Sequence, residues 1–192
     1  MKLVLYSGGQ SRQNYKLHEA LVRLARKDQK RTRKLKLTYI PYCSEHSSVF
    51  YNRAVKRYQK QGIENFQCLN VDHPFQLNEV EQAMKSDIIY LAGGNTFYFL
   101  KHLRESGVLA RLKTFAQEGG VLAGLSAGGL IMSPTVKLAA DSGLGPDENE
   151  VNLKNFTGMK LFSFEFSPHF ENSPKQIKAH IAYSEKTKNP VY

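Results

Sequence analysis

Short apolar runs alternate with amphipathic stretches along most of this chain. The run KLVLYS (2–7) reads as a strand, and YKLHEALVRLARK (15–27) carries Leu17, Leu21, Leu24 and Ala25 at helical spacing. KLTYIPY (36–42) is the next predicted strand, followed by a helix over 47–61 that stops at Gly62. NFQCLNV (65–71) is a third strand, QLNEVEQAMKS (76–86) a short helix, and DIIYLAGG (87–94) a fourth, nearly all-apolar strand. TFYFLKHLRESG and VLARLKTFAQEGG read as two helical pieces ahead of VLAGL (121–125), the fifth strand. Strands that are apolar on both faces and separated by helices predict a mostly parallel sheet with right-handed crossovers, an α/β fold built as a three-layer α/β/α sandwich. After Ser133 the rhythm loosens. A loop covers DSGLGPDENE (141–150), FSFEF (162–166) is strand-like, and a helix runs over 175–186. Pro190 and Val191 read as the start of another strand just before Tyr192. The expectation is one domain over 1–192, with further C-terminal strands missing after Tyr192.

Composition narrows the class. At 192 residues with 41% hydrophobic content, the chain can bury a sizeable core without disulfides or metals. Cys43 and Cys68 stand in no metal-type spacing, and two isolated thiols point to a reduced, cytoplasmic setting. The apolar run near the N-terminus, LVLY, is too short for a signal-peptide core, and no stretch approaches the roughly 18 residues of a membrane span. No cofactor, metal or membrane partner is expected. The net charge of +10 is lopsided: residues 1–72 hold 15 Lys/Arg against 5 Asp/Glu, whereas the rest is balanced. The densest part, RLARKDQKRTRKLK (23–36), has no interleaved aromatic residues and no nucleic-acid motif around it. A solvated helix end accounts for it better than nucleic acid does.

Chemistry concentrates in GGVLAGLSAGGLIMSP (119–134), where one serine stands among glycines between two apolar runs. Ser126 lies where a buried strand should meet a helix, the context that a G-x-S-x-G elbow requires. Such a turn strains the backbone, so Gly124 and Gly128 must be small, and it pushes Oγ out at the carboxyl edge of the sheet. The next N–H, that of Ala127, then lies at a helix start and suits a developing oxyanion. The plain alternative is a serine that merely caps the helix. LAGGNTFYFL (91–100) supplies a second loop at the end of a second buried strand. There Gly93 and Gly94 let the backbone approach a ligand, and Asn95 or Thr96 can cap the next helix. Phe97, Tyr98 and Phe99 read as packing residues. Of six histidines, His18, His102 and His180 fall inside helices, on polar faces. His46, His73 and His169 follow strands near the correct edge, and each could serve as a general base or be a surface histidine.

AGGNTFYFL, GLSAGGLIMSP and FSPHFENS, at these separations, resemble the serine peptidase family of dipeptidase E and cyanophycinase, peptidase family S51. The likeness runs over about 87–185. It implies a class I glutamine amidotransferase-like, flavodoxin-like fold, Ser126 as nucleophile, His169 as base, and an oxyanion hole from Gly94 and Ala127 beside Gly93 and Asn95. Asp141, fifteen residues after Ser126, matches an aspartate implicated in dipeptidase E, and it is taken here as the third catalytic residue. In structures of such enzymes a glutamate beyond the histidine also takes that role, on a segment that would follow Tyr192; Glu171 and Glu185 are the substitutes within this chain. The aspartyl dipeptidases use an arginine after the catalytic histidine to hold the substrate's aspartate, yet no arginine follows Arg111 here, and Lys175 or Lys178 offers only a point charge. The resemblance therefore implies hydrolysis of short peptides, with a homodimer left open. Two other readings stand beside it: an amidotransferase-like enzyme, disfavoured because neither cysteine lies at the elbow, and a non-catalytic binding protein that uses the basic N-terminal third.

Overall fold

A computed structural model describes residues 1–8, 14–27, 33–141, 143–144 and 146–192. Part of the basic run, 28–32, lies outside the described residues. Five strands form one parallel sheet in the order β1-β5-β4-β2-β3: β1 (Lys2–Tyr6), β2 (Lys36–Ile40), β3 (Asn65–Cys68), β4 (Ile88–Leu91) and β5 (Val121–Leu125). The α/β sandwich read from the apolar pattern is the fold observed.

Side chains alternate across the sheet, and both faces are covered. On one face Val4, Tyr6, Tyr39, Ile88, Tyr90, Val121 and Ala123 meet α1 (Tyr15–Arg26) and α2 (Ser47–Gln59). On the other, Ile40, Ile89, Leu91 and Leu122 belong to a larger core with α3 (Leu77–Met84), α4 (Thr96–Glu105), α5 (Val108–Gln117) and α6 (Ala127–Met132). All four residues of β4 are fully buried, which is why that segment reads as a continuous apolar run instead of an alternating one. Each such Ile or Leu contributes about 1.5–3 kcal/mol by leaving water. The last helix, α7 (Pro174–Thr187), starts on a Ser173 cap with proline in its first turn and contributes Tyr183 to the larger core.

Two local expectations are corrected. The buried stripe of α1 is His18, Leu21, Val22 and Ala25, whereas Leu17 and Leu24 are half-buried, so His18 sits inside the protein and not on a polar face. FSFEF is not a regular strand: Phe162 and Phe164 stack on each other, and pairing is confined to an isolated bridge between Glu165 and Val191. That bridge is held by Glu165 N–H on Pro190 O (2.8 Å), Tyr192 N–H on Glu165 O (2.9 Å) and Ser167 N–H on Tyr192 O (2.7 Å). The last three residues thus lie alongside the segment leading into His169. No described helix is long and apolar enough to cross a membrane.

Candidate active site

In the parallel register Tyr6 pairs with Leu125 and Leu91 with Gly124, so β1, β4 and β5 end at the same level. Open α/β sheets place their ligand sites at that carboxyl edge. Ser126 is the first residue beyond β5 and precedes α6. Its backbone has φ 49° and ψ −110°, a conformation hostile to any residue with a Cβ. Surrounding hydrogen bonds hold it there: its N–H donates to Tyr6 O (2.9 Å), and its carbonyl accepts from Gly129 and Leu130 N–H (2.9 Å each).

The neighbouring glycines answer to backbone, not to ligand. A Cβ on Gly124 would lie 2.5 Å from the Gly128 carbonyl carbon, and one on Gly128 would lie 2.6 Å from Leu91 O. Strands β4 and β5 and the start of α6 therefore approach so closely that only hydrogen fits at either position. Gly129 is small for another reason: the ring of Phe166 occupies its Cβ site.

Ser126 Oγ lies 2.8 Å from His169 Nε2, although 43 residues separate them. His169 is itself at φ 59°, and its N–H donates to Ser7 Oγ (2.8 Å). Gly8 lies against the ring, since a Cβ there would be 2.9 Å from Nδ1. Ser7 and Gly8, at the end of β1, thus fix where the histidine stands. Sequence reasoning missed both, although the S-G-G that ends the first strand at the same sheet edge was a usable signal.

The two loops expected to stabilise an oxyanion flank Ser126. Gly93 lies against it, with a notional Cβ 3.4 Å from the Ser126 Cβ. Gly94 has φ 149° and packs its backbone onto the Tyr42 ring, which fills the space a side chain would need. The Gly128 N–H is taken by Ala92 O (3.1 Å) and the Gly129 N–H by Ser126 O, while Ala127 supplies the first N–H of α6, which has no acceptor within its own helix. Asn95 acts as the cap of α4: Oδ1 accepts from Tyr98 N–H (2.9 Å) and Nδ2 donates to Glu148 O (2.7 Å). Both ends of its amide are thereby engaged away from the serine.

Asp141 is not brought to His169. It follows the 3₁₀ turn Lys137–Ala140, its Oδ1 accepts from Gly143 N–H (2.9 Å), and it lines a separate cleft with Thr135 and Tyr183. The Asp141 carboxylate is thus turned back onto the backbone at Gly143. The remaining histidines are occupied elsewhere. His46 begins α2 beside Glu45, His102 faces Glu105, and His180 Nε2 pairs with the Ser167 hydroxyl (2.6 Å). His73 lines a cleft with Asp72 and Tyr98. Among the three histidines that follow strands, only His169 meets the serine.

A parallel α/β sheet that presents a strained serine on an elbow, in hydrogen-bond contact with a histidine, defines a serine hydrolase centre. The comparisons with known proteins narrow this. Residues 3–192 match the model of peptidase family S51, and the chain belongs to that family. An uncharacterized peptidase of Listeria monocytogenes is 33% identical over 162 residues, 81% of this chain and 76% of that one. Peptidase E of Salmonella arizonae is 35% identical over 94 residues, 49% of this chain, and peptidase E of Escherichia coli 33% identical over 97 residues, 50% of this chain. Those matches span only 38% and 40% of the two peptidase E chains. The crystal structure of a candidate peptidase E from L. monocytogenes EGD-e superposes with a TM-score of 0.70 at 26% identity, covering 100% of this chain and 89% of that one. A peptidase from an acI-B1 actinobacterium shares the fold at 18% identity, with a TM-score of 0.67 over 92% of this chain and 73% of that one.

Proposed function

We propose that this protein hydrolyses short peptides through an acyl-enzyme on Ser126, with His169 as general base and then general acid. The observation that carries the reading is the 2.8 Å contact between Ser126 Oγ and His169 Nε2 at a strained elbow. As Oγ attacks the scissile carbonyl, Nε2 takes its proton. The carbonyl oxygen then carries negative charge, and the N–H groups of Ala127 and Gly94 serve in this reading as its hydrogen-bond donors. Collapse of the tetrahedral intermediate breaks the C–N bond, and Nε2–H protonates the leaving amine. A water molecule, deprotonated by the same nitrogen, hydrolyses the ester and restores both residues.

The base needs its ring held in register, a task usually given to a carboxylate on the other nitrogen. Here Ser7 and Gly8 support that register by anchoring the His169 backbone and packing on Nδ1. Restriction to short peptides and use of an acid in third place follow the family resemblance; Asp141, the residue that the resemblance nominates, stands away from the His169 ring and is given no part in the mechanism.

The test is intact-mass analysis after treatment with a fluorophosphonate, comparing wild type with Ser126→Ala and His169→Ala. One adduct on wild type only, mapped to Ser126, is expected, and a dipeptide panel then reads turnover. Folded wild type that takes no adduct and cleaves no peptide would refute the mechanism.

A further inference from the structure

His169 stands at φ 59°, a conformation that a residue with a Cβ keeps only when its surroundings hold it there. Ser7 supplies one tether, from the end of β1, through the His169 N–H. The flanks of the histidine are held from the other side, by α7. His180 Nε2 lies 2.6 Å from Ser167 Oγ, two residues before His169. The same imidazole meets the ring of Phe170, the residue after His169, edge-on, with centroids 5.4 Å apart at 78°. One helical turn earlier, Gln176 Oε1 accepts from the Glu171 N–H (2.6 Å). A single helix face therefore touches the chain on both sides of the base.

The chemistry of these groups sets the direction of each bond. His180 Nδ1 lies 2.7 Å from Gln176 O, and a carbonyl only accepts, so Nδ1 carries the ring proton. Nε2 is then bare and accepts, and the Ser167 hydroxyl donates to it. Ser167 is buried, and its N–H is spent on Tyr192 O (2.7 Å), so both of its donors are engaged. Removing the imidazole would leave a buried hydroxyl unpaired, which folded proteins avoid. Apolar packing does not explain the placement of this part of α7, because Tyr183 is the one residue of the helix that is buried. Between Ser167 and His169 stands Pro168, whose ring fixes φ and removes one freedom from the link. A rigid path thus runs from the α7 backbone through His180 and Ser167 to His169.

We infer that His180 is a positioning residue for the catalytic base, acting through the Ser167 hydroxyl and Phe170 to hold the His169 ring against Ser126. It is the counterpart of Ser7: one anchor comes from β1, the other from α7. His180 touches neither the nucleophile nor the space a substrate would enter, so its effect is on geometry alone. The inference rests on the reading of His169 as the base, but the placement of the His169 ring can be measured without turnover.

The experiment compares the rate of fluorophosphonate labelling of Ser126 in wild type, Ser167→Ala, His180→Leu, His180→Gln and the Ser167→Ala/His180→Leu double variant, each checked for folding by circular dichroism. A misplaced base loses rate steeply, so Ser167→Ala and His180→Leu should each label roughly tenfold to hundredfold more slowly. The double variant should lose no more than His180→Leu alone, because both changes remove one contact. His180→Gln, whose amide oxygen can accept the same hydroxyl, should recover most of the rate. Proton–nitrogen NMR of the histidine rings gives a readout that looser helix docking would not reproduce. It should find His180 as the Nδ1–H tautomer. The His169 ring signals, assigned by their absence in His169→Ala, should move in Ser167→Ala and His180→Leu and return in His180→Gln. Folded single variants that label at the wild-type rate with unmoved His169 signals overturn the inference, as does His180 in the Nε2–H tautomer. A loss that glutamine does not rescue and that adds up in the double variant marks a general loosening of α7 and overturns it too. If His180→Leu fails to fold, the smaller changes Ser167→Ala and His180→Gln decide. Wild type that takes no label fails the peptidase reading instead, and the NMR comparison alone then judges the positioning.

Discussion

The strain at Ser126 makes a prediction whose sign differs from the ordinary one. At φ 49° and ψ −110° the side chain's Cβ is what the backbone resists. Such a conformation costs about 1–3 kcal/mol for a non-glycine residue. Ser126→Ala and Ser126→Gly both remove the hydroxyl and its 2.8 Å contact with His169, so that loss cancels when the two are compared. At an unstrained position glycine would be the less stable of the pair by about 0.4–1 kcal/mol, because it frees the unfolded chain. Here relief of strain opposes that term, and the net is roughly 0–2.5 kcal/mol in favour of glycine. For a domain of this size each kcal/mol moves the melting temperature by about 2–4 °C, so Ser126→Gly should melt a few degrees above Ser126→Ala. Differential scanning calorimetry and urea titration of both variants give the comparison directly. A glycine variant less stable than the alanine variant would show that the elbow is relaxed, and would remove the physical reason for reading Ser126 as a nucleophile held out by its own turn.

The other predictions concern the surroundings of the serine. Gly124→Ala drives a methyl group into the Gly128 backbone at 2.5 Å, so it should cost about 1–3 kcal/mol or more and slow fluorophosphonate labelling, whereas Gly93→Ala, whose Cβ meets nothing nearer than 3.4 Å, should melt near wild type. Burial, helped by the Arg57 charge, lowers the His18 pKa from 6.5 to about 4, so the unfolded chain binds the extra proton between those values. This contribution is fully present above about pH 6.5 and is lost as pH falls towards 4, on the order of 3 kcal/mol, and urea titrations of wild type against His18→Gln across that window should show the component only in wild type. Asp141 stands away from the His169 ring, so Asp141→Asn should change the Ser126 labelling rate by no more than about twofold, while a drop of about 10⁴ would restore it as the orienting acid.

What could be read along the chain follows from how far each constraint reaches. The all-apolar β4 and the apolar β5 announce a sheet covered on both sides, because burial acts on every residue of a strand. The elbow is legible for a similar reason: Gly124 and Gly128 are demanded by backbone within a few residues of Ser126 and by the adjacent β4, so the steric need leaves a local pattern. Choosing the base is harder. His46, His73 and His169 all follow strands, and only the folding of FSPHF over the end of β1 separates them. Nothing in the spacing says that Ser7 will meet a histidine 162 residues away. His18 misled for a different reason, since a histidine between Lys16 and Glu19 looks solvated until Tyr6 and Tyr58, from different elements, turn out to meet its Nδ1 with their hydroxyls. Tyr6 ties the two regions together: its carbonyl holds the Ser126 N–H, and its hydroxyl engages His18. The residue that fixes the nucleophile's backbone is therefore also the one that holds a buried histidine, so the packing around His18 is referenced, through a single strand residue, to the position of the attacking oxygen.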